Sequence, residues 1–80
     1  MAMTKDIVLY HFESCPFCVK VRTYMERAVI NIATKDIREH PEFQMELLKI
    51  GGKSQVPCLV VKGKAIYESE DIIKWLKDNF

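Results

Sequence analysis

Two cysteines bracket a proline directly after a short apolar run, in the stretch IVLYHFESCPFCVKVR from Ile7 to Arg22. This arrangement constrains the fold more than any other feature of the chain. Ile7 to His11 is β-rich and apolar, the pattern of a mostly buried strand. Pro16 suits the first turn of a helix, where its missing N–H has no partner to lose. Val21, Met25 and Ala28 then recur at helical spacing. The spacing predicts a helix over about 16–28, with Cys15 at its N-cap.

The later segments extend the pattern. Ile32, Thr34 and Asp36 alternate with Ala33, Lys35 and Ile37, which predicts a second strand. Pro41 opens a second helix with Phe43, Leu47 and Ile50 on one face and Gly51–Gly52 as its stop. Cys58 to Val61, a turn at Lys62–Gly63, and Ala65 to Tyr67 read as a hairpin. Ser69 is a good N-cap for a last helix, Glu70 and Asp71 suit its dipole, and Ile72, Leu76 and Phe80 form an apolar stripe. The order β-α-β-α-β-β-α implies a right-handed parallel crossover followed by an antiparallel hairpin. The expected product is an α/β fold, a four-stranded mixed sheet flanked by three helices.

Eighty residues make one small domain, here 1–80, with a thin core. An apolar fraction of 49% is that of a folded chain. The net charge of +1 comes from interleaved acids and bases, without the clustered basic face that nucleic acid requires. No apolar run approaches the ~20 residues that cross a bilayer, so no membrane role is expected. The N-terminus lacks the pattern of a secretory signal, which points to the cytoplasm. Three cysteines is an odd count, and in a reducing compartment a close pair is catalytic or metal-binding rather than a structural staple.

A thiolate is the nucleophile in disulfide exchange, and a helix N-terminus lowers a thiol pKa from ~8.5 toward ~3.5–7.5. Cys15 stands at such an end, and Cys18 follows one turn into the same helix, where it can attack a disulfide formed at Cys15. The alternative is a zinc site with Cys58, His11 or His40 completing four ligands, although no second C-x-x-C or H-x-x-x-H accompanies the pair. Cys58 itself reads as a small core side chain, or as a third thiol near the pair. His11 and His40 carry no partner pattern and read as structural or surface residues. Trp75 reads as packing for the last helix.

With these residues in place, the chain resembles a glutaredoxin along essentially its whole length. The motifs that carry the resemblance are CPFC between strand and helix, QVP ahead of a hairpin, and YESEDI at the last helix. Gln55 and the ESED pattern are also similar to the N-terminal domain of glutathione transferases. The resemblance implies a thioredoxin-like, glutaredoxin-type fold with a cis proline at Pro57. It implies a glutathione-dependent dithiol–disulfide oxidoreductase in which Cys15 attacks and Cys18 resolves. Glutathione would be a co-substrate rather than a permanently bound cofactor. Its cysteinyl part would pair with the backbone of Val56, and its γ-glutamyl end would lie against Glu68, Ser69 and Glu70. Phe17 stands where many relatives carry tyrosine. Phe12 replaces a lysine common in the family, so Lys53, near Gln55, is the expected cation for the glycine carboxylate, and Glu13 would oppose thiolate formation.

The implied partners are disulfide-bonded or glutathionylated proteins and, indirectly, glutathione reductase, with the chain acting as a monomer. Two other activities fit the same residues: a redoxin fed by thioredoxin reductase, and a carrier of an iron–sulfur cluster.

Overall fold

A computed structural model describes residues 7–80. The reading of the extreme N-terminus as free of a secretory signal falls largely on residues 1–6, outside the described part. The elements are β1 (Ile7–His11), α1 (Pro16–Arg27), β2 (Ala33–Asp36), α2 (Pro41–Gly51), β3 (Cys58–Val61), β4 (Lys64–Ile66) and α3 (Ser69–Asn79). The sheet order is β2-β1-β3-β4. β1 runs parallel to β2, with His11 opposite Asp36, and antiparallel to β3, with Tyr10 opposite Cys58. The four-stranded mixed sheet with three helices is a thioredoxin-like fold. Among the described residues no helix is long and apolar enough to cross a membrane.

Alternation along β1 sends neighbouring side chains to opposite faces. Leu9 joins Val21, Met25, Leu59, Ile72 and Leu76 in a core shared with α1 and α3. Tyr10 joins Ile37, Leu47, Cys58 and Val60 in a second core under α2. Cys58 is fully buried there, as its reading as a core side chain anticipated.

Element ends show where local signals and tertiary packing part. The β3–β4 turn has positive φ at both Lys62 (49°) and Gly63 (84°), as a two-residue primed hairpin turn requires. β2 is shorter than expected: only Ala33–Asp36 pair, while Ile32 and Ile37 bury themselves at its two ends, one in each core. Ile50 is 39% exposed, because the face of α2 turned inward follows i, i+4 spacing through Phe43, Leu47 and Gly51. Phe80 is half-exposed and packs edge-on against Trp75 instead of continuing the stripe of Ile72 and Leu76.

Ser69 is not the N-cap of α3. Glu68 is, with φ −76° and ψ 135°, and its carbonyl accepts the Ile72 N–H at 2.8 Å. Helical bonding therefore begins one residue earlier than the serine suggested, and Ser69 is buried in the first turn.

α1 closes with Ile30 N–H donating to Met25 O (2.8 Å) and Val29 N–H to Glu26 O (3.2 Å). That is a Schellman closure. Val29 holds its left-handed position at φ 55°, where glycine is usual.

Candidate active site

The antiparallel pairing of β1 with β3 determines what faces the cysteines. Tyr10 lies opposite Cys58, so the chain leaving β1 passes beside the residues that enter β3, Val56 and Pro57. The Val56–Pro57 bond is cis, as the resemblance implied. Packing of α3 beside α1 in the Leu9 core then brings the start of α3 to the same end of the sheet.

Cys15 is the N-cap of α1, with extended dihedrals (φ −76°, ψ 118°) and Pro16 as the first helical residue. Its N–H donates to Phe12 O at 3.2 Å and its carbonyl accepts the Val19 N–H at 2.9 Å. The side chain thus stands where the unpaired amides of a first helical turn collect. Cys15 is 7% exposed and Cys18 wholly buried, and all three cysteines are free thiols. Burial pushes the Cys18 thiol up to about 12, and a hydrogen bond with Cys15 adds to the shift. The two thiols are therefore unequal: one near the surface at a helix end, one sealed and protonated at neutral pH.

Beside this turn lies an open cavity of about 480 Å³. Of the residues expected to bind a ligand, Phe17, Gln55, Val56, Pro57, Glu68, Ser69 and Glu70 all line it. Phe17 is 61% exposed and forms an apolar wall. Neither Cys15 nor Cys18 lines the cavity itself; Cys15 adjoins it through Phe17, two residues on.

Lys53 does not line it either. Its ammonium lies over the Tyr67 ring, 4.6 Å from the centroid, and Tyr67 OH donates to Lys53 O at 3.1 Å. Tyr67 is the residue that reaches the cavity.

Sequence reasoning missed two lining residues, Lys20 and Tyr67; Asp71, read as suiting the helix dipole, lines the cavity as well. Lys20 follows Phe17 by three positions, so the two share a helical face, and that spacing was a usable signal. Lys20 Nζ is 3.8 Å from Glu70 Oε2, an exposed pair joining α1 to α3 across the cavity. Glu13, expected to oppose thiolate formation, has its charge met by Arg22. The guanidinium lies 3.6 Å from the Glu13 carboxylate and donates to Glu13 O at 3.2 Å.

A thioredoxin-like fold with a C-x-x-C pair at a helix start and a cis-proline loop opposite defines a class of thiol redox proteins. The sequence matches the Glutaredoxin family profile over residues 7–66, and the chain belongs to that family. Solved structures agree in fold. Glutathione transferase Omega 3C from Trametes versicolor is 30% identical at a TM-score of 0.79, covering 95% of this chain and 34% of its own. This chain therefore spans about a third of that transferase's length. The buckwheat glutaredoxin–glutathione complex is 20% identical at a TM-score of 0.72, covering 91% of this chain and 69% of that one. A glutaredoxin from Archaeoglobus fulgidus is 18% identical at a TM-score of 0.72, covering 90% and 86%. No curated protein sequence matches the chain significantly.

Proposed function

We propose that this chain is a glutathione-dependent dithiol–disulfide oxidoreductase acting on protein disulfides and on protein–glutathione mixed disulfides. One observation carries the reading. The turn after Cys15, the Val56–Pro57 loop and the first turn of α3 converge on one open cavity of tripeptide scale.

In this reading the glutathione backbone pairs with Val56 as one strand pairs with another. Its γ-glutamyl carboxylate meets the amides at the start of α3, and Glu68 or Glu70 faces its ammonium. Lys20, rather than Lys53, supplies a cation inside the cavity, while Lys53 supports Tyr67 from behind.

The Cys15 thiolate attacks the glutathione sulfur of a mixed disulfide. The old S–S bond breaks, the protein thiolate leaves and takes a proton, and a Cys15–glutathione disulfide forms. A second glutathione thiolate then attacks the glutathione sulfur of that adduct. Oxidised glutathione leaves and Cys15 returns as thiolate, so one free glutathione is consumed and the glutathione carried by the substrate becomes the other half of the product. With a protein disulfide as substrate, Cys18 gives up its proton and displaces the substrate thiolate from Cys15. The resulting Cys15–Cys18 disulfide is reduced by two glutathiones in turn.

The test is reduction of a glutathionylated peptide with glutathione and glutathione reductase, run beside thioredoxin reductase as the other donor. Turnover with glutathione alone is expected. Turnover only with thioredoxin reductase would assign a different electron source. Silence with both, together with visible absorbance in protein purified without oxygen, would favour a cluster carrier.

A further inference from the structure

At the end of β1 that leads into the loop before Cys15, on the side of β2, lies a side-chain cluster that the proposed disulfide exchange does not use. His11 closes β1, and Asp36 stands opposite it at the end of the parallel strand β2. Glu13 follows in the loop toward α1. One imidazole nitrogen of His11 and one carboxylate oxygen each from Glu13 and Asp36 lie within 4.8 Å of one another. The three share the wall of a concavity of about 330 Å³, with Arg22, Glu39 and His40 beside them. The carboxyl ends of parallel strands are where open α/β sheets hold ligands.

We propose that His11, Glu13 and Asp36 form a site for a divalent first-row transition-metal ion, with water completing its coordination.

The state of His11 supports the assignment. It is only 5% exposed, yet its Nδ1 is buried with no hydrogen-bond partner. A buried imidazole nitrogen without a partner carries a desolvation cost that a structure ordinarily removes by pairing it. Asp36 closes the turn after β2, its Oδ1 accepting the backbone N–H groups of Arg38 (2.8 Å) and Glu39 (3.0 Å), which fixes the orientation of the carboxylate.

The donor set selects the ion. One imidazole and two carboxylates suit borderline divalent ions better than calcium, which takes six to eight oxygens. Thiol-seeking metals would go instead to Cys15.

Arg22 is the competitor. Its largely buried guanidinium reaches Glu13 at 3.6 Å, but the contact is long and the Glu13 side chain is 74% exposed, so the carboxylate is free to turn. Turning Glu13 from guanidinium to metal is therefore a small rearrangement. Two carboxylates beside a single guanidinium leave the cluster short of positive charge. An anion would have to displace both acids, so the concavity favours a cation.

The test uses Mn²⁺ alone, added to the isotopically labelled full chain and followed by paramagnetic broadening of its amide resonances. This readout does not depend on glutathione or turnover, so it stands or falls apart from the proposed activity. Amides of residues 11–13 and 34–39 are expected to broaden first, before those of the acidic turn at 68–71. Glu13→Gln, at an exposed position, should weaken the response at least tenfold. Asp36→Asn keeps an oxygen for the Arg38 and Glu39 amides and should fold normally while losing the ion. Broadening that begins elsewhere, or that is indifferent to both substitutions, overturns the site.

Discussion

Tyr67 is gripped by Lys53 at both ends: its hydroxyl donates to the lysine carbonyl at 3.1 Å, and its ring carries the lysine ammonium at 4.6 Å. The residue that permits this is Gly51. A Cβ there would land on the Tyr67 hydroxyl, 2.7 Å from its Cζ and 3.2 Å from the Ala65 Cβ. The end of α2, far from the cysteines in sequence, thus seats a wall of the cavity beside them.

Gly51→Ala should therefore act at a distance. The ring must swing away or α2 must shift, an overpacking cost of ~1–3 kcal/mol. Urea denaturation should show that loss, and the KM for glutathione should rise with little change in kcat. An unaltered KM would mean that Tyr67 contributes no binding surface.

The inequality of the two thiols makes the single mutants distinguishable. Cys15→Ser should abolish turnover on every substrate. Cys18→Ser should keep reduction of a glutathionylated peptide and lose reduction of a protein disulfide, because only the second needs the buried thiol. Equal losses from both on the glutathionylated peptide would refute the division of roles.

Alkali should weaken the fold, with a definite sign. Burial pushes Cys58 up to about 11, and burial with a Glu46 hydrogen bond pushes Tyr10 up to about 12. Cys18 is displaced in the same direction. Above about pH 9 the unfolded chain releases thiol protons that the folded chain still holds, so stability falls from there toward pH 12. At neutral pH both states are protonated at these groups and no such loss occurs. Each unit of displacement is worth about 1.4 kcal/mol, so Cys58 alone accounts for about 3 kcal/mol once it is fully titrated in both states. Urea midpoints at pH 7 and pH 10.5 should differ accordingly. Cys58→Ala should reduce the difference, and an unchanged difference would contradict the assignment to Cys58.

The end of α1 offers a stabilising substitution. Val29 is 81% exposed and sits at φ 55°, so its side chain gains little burial and resists its backbone. The left-handed region costs a β-branched residue ~1–2 kcal/mol, and asparagine tolerates it better. Val29→Asn should stabilise by about 1 kcal/mol, raising Tm by ~4–8 °C for a domain of this size. No rise in a calorimetric scan would show that Val29 is unstrained.

Much of the framework was legible because its signals are local. Pro16 announced α1, Lys62–Gly63 the hairpin turn, and Gly52 the left-handed close of α2 (φ 83°). Most of the cavity was legible through the motifs around Cys15, Pro57 and Ser69. What escaped depended on contacts between distant segments. Lys20 reaches the cavity only because α3 packs beside α1, and Lys53 left the expected position because Tyr67 offered it an aromatic face. Ile50 reads as core by periodicity, yet the inward position belongs to Gly51, which no hydrophobicity pattern can reveal. His11 closes a run read as a mostly buried strand, but its acidic neighbours were not legible, since Asp36 comes to it only by the pairing of β1 with β2.

The depth of Cys18 has a consequence for oxidative damage. A peroxide or alkylating agent arriving from solvent meets Cys15 first, and the sealed, protonated sulfur behind it is a poor target for either. In the proposed cycle Cys18 acts once Cys15 has been converted to a disulfide or a sulfenic acid, closing a bond that can be reopened before the Cys15 sulfur climbs to an irreversible oxidation state. Burial of the second sulfur thus turns the first into a replaceable fuse.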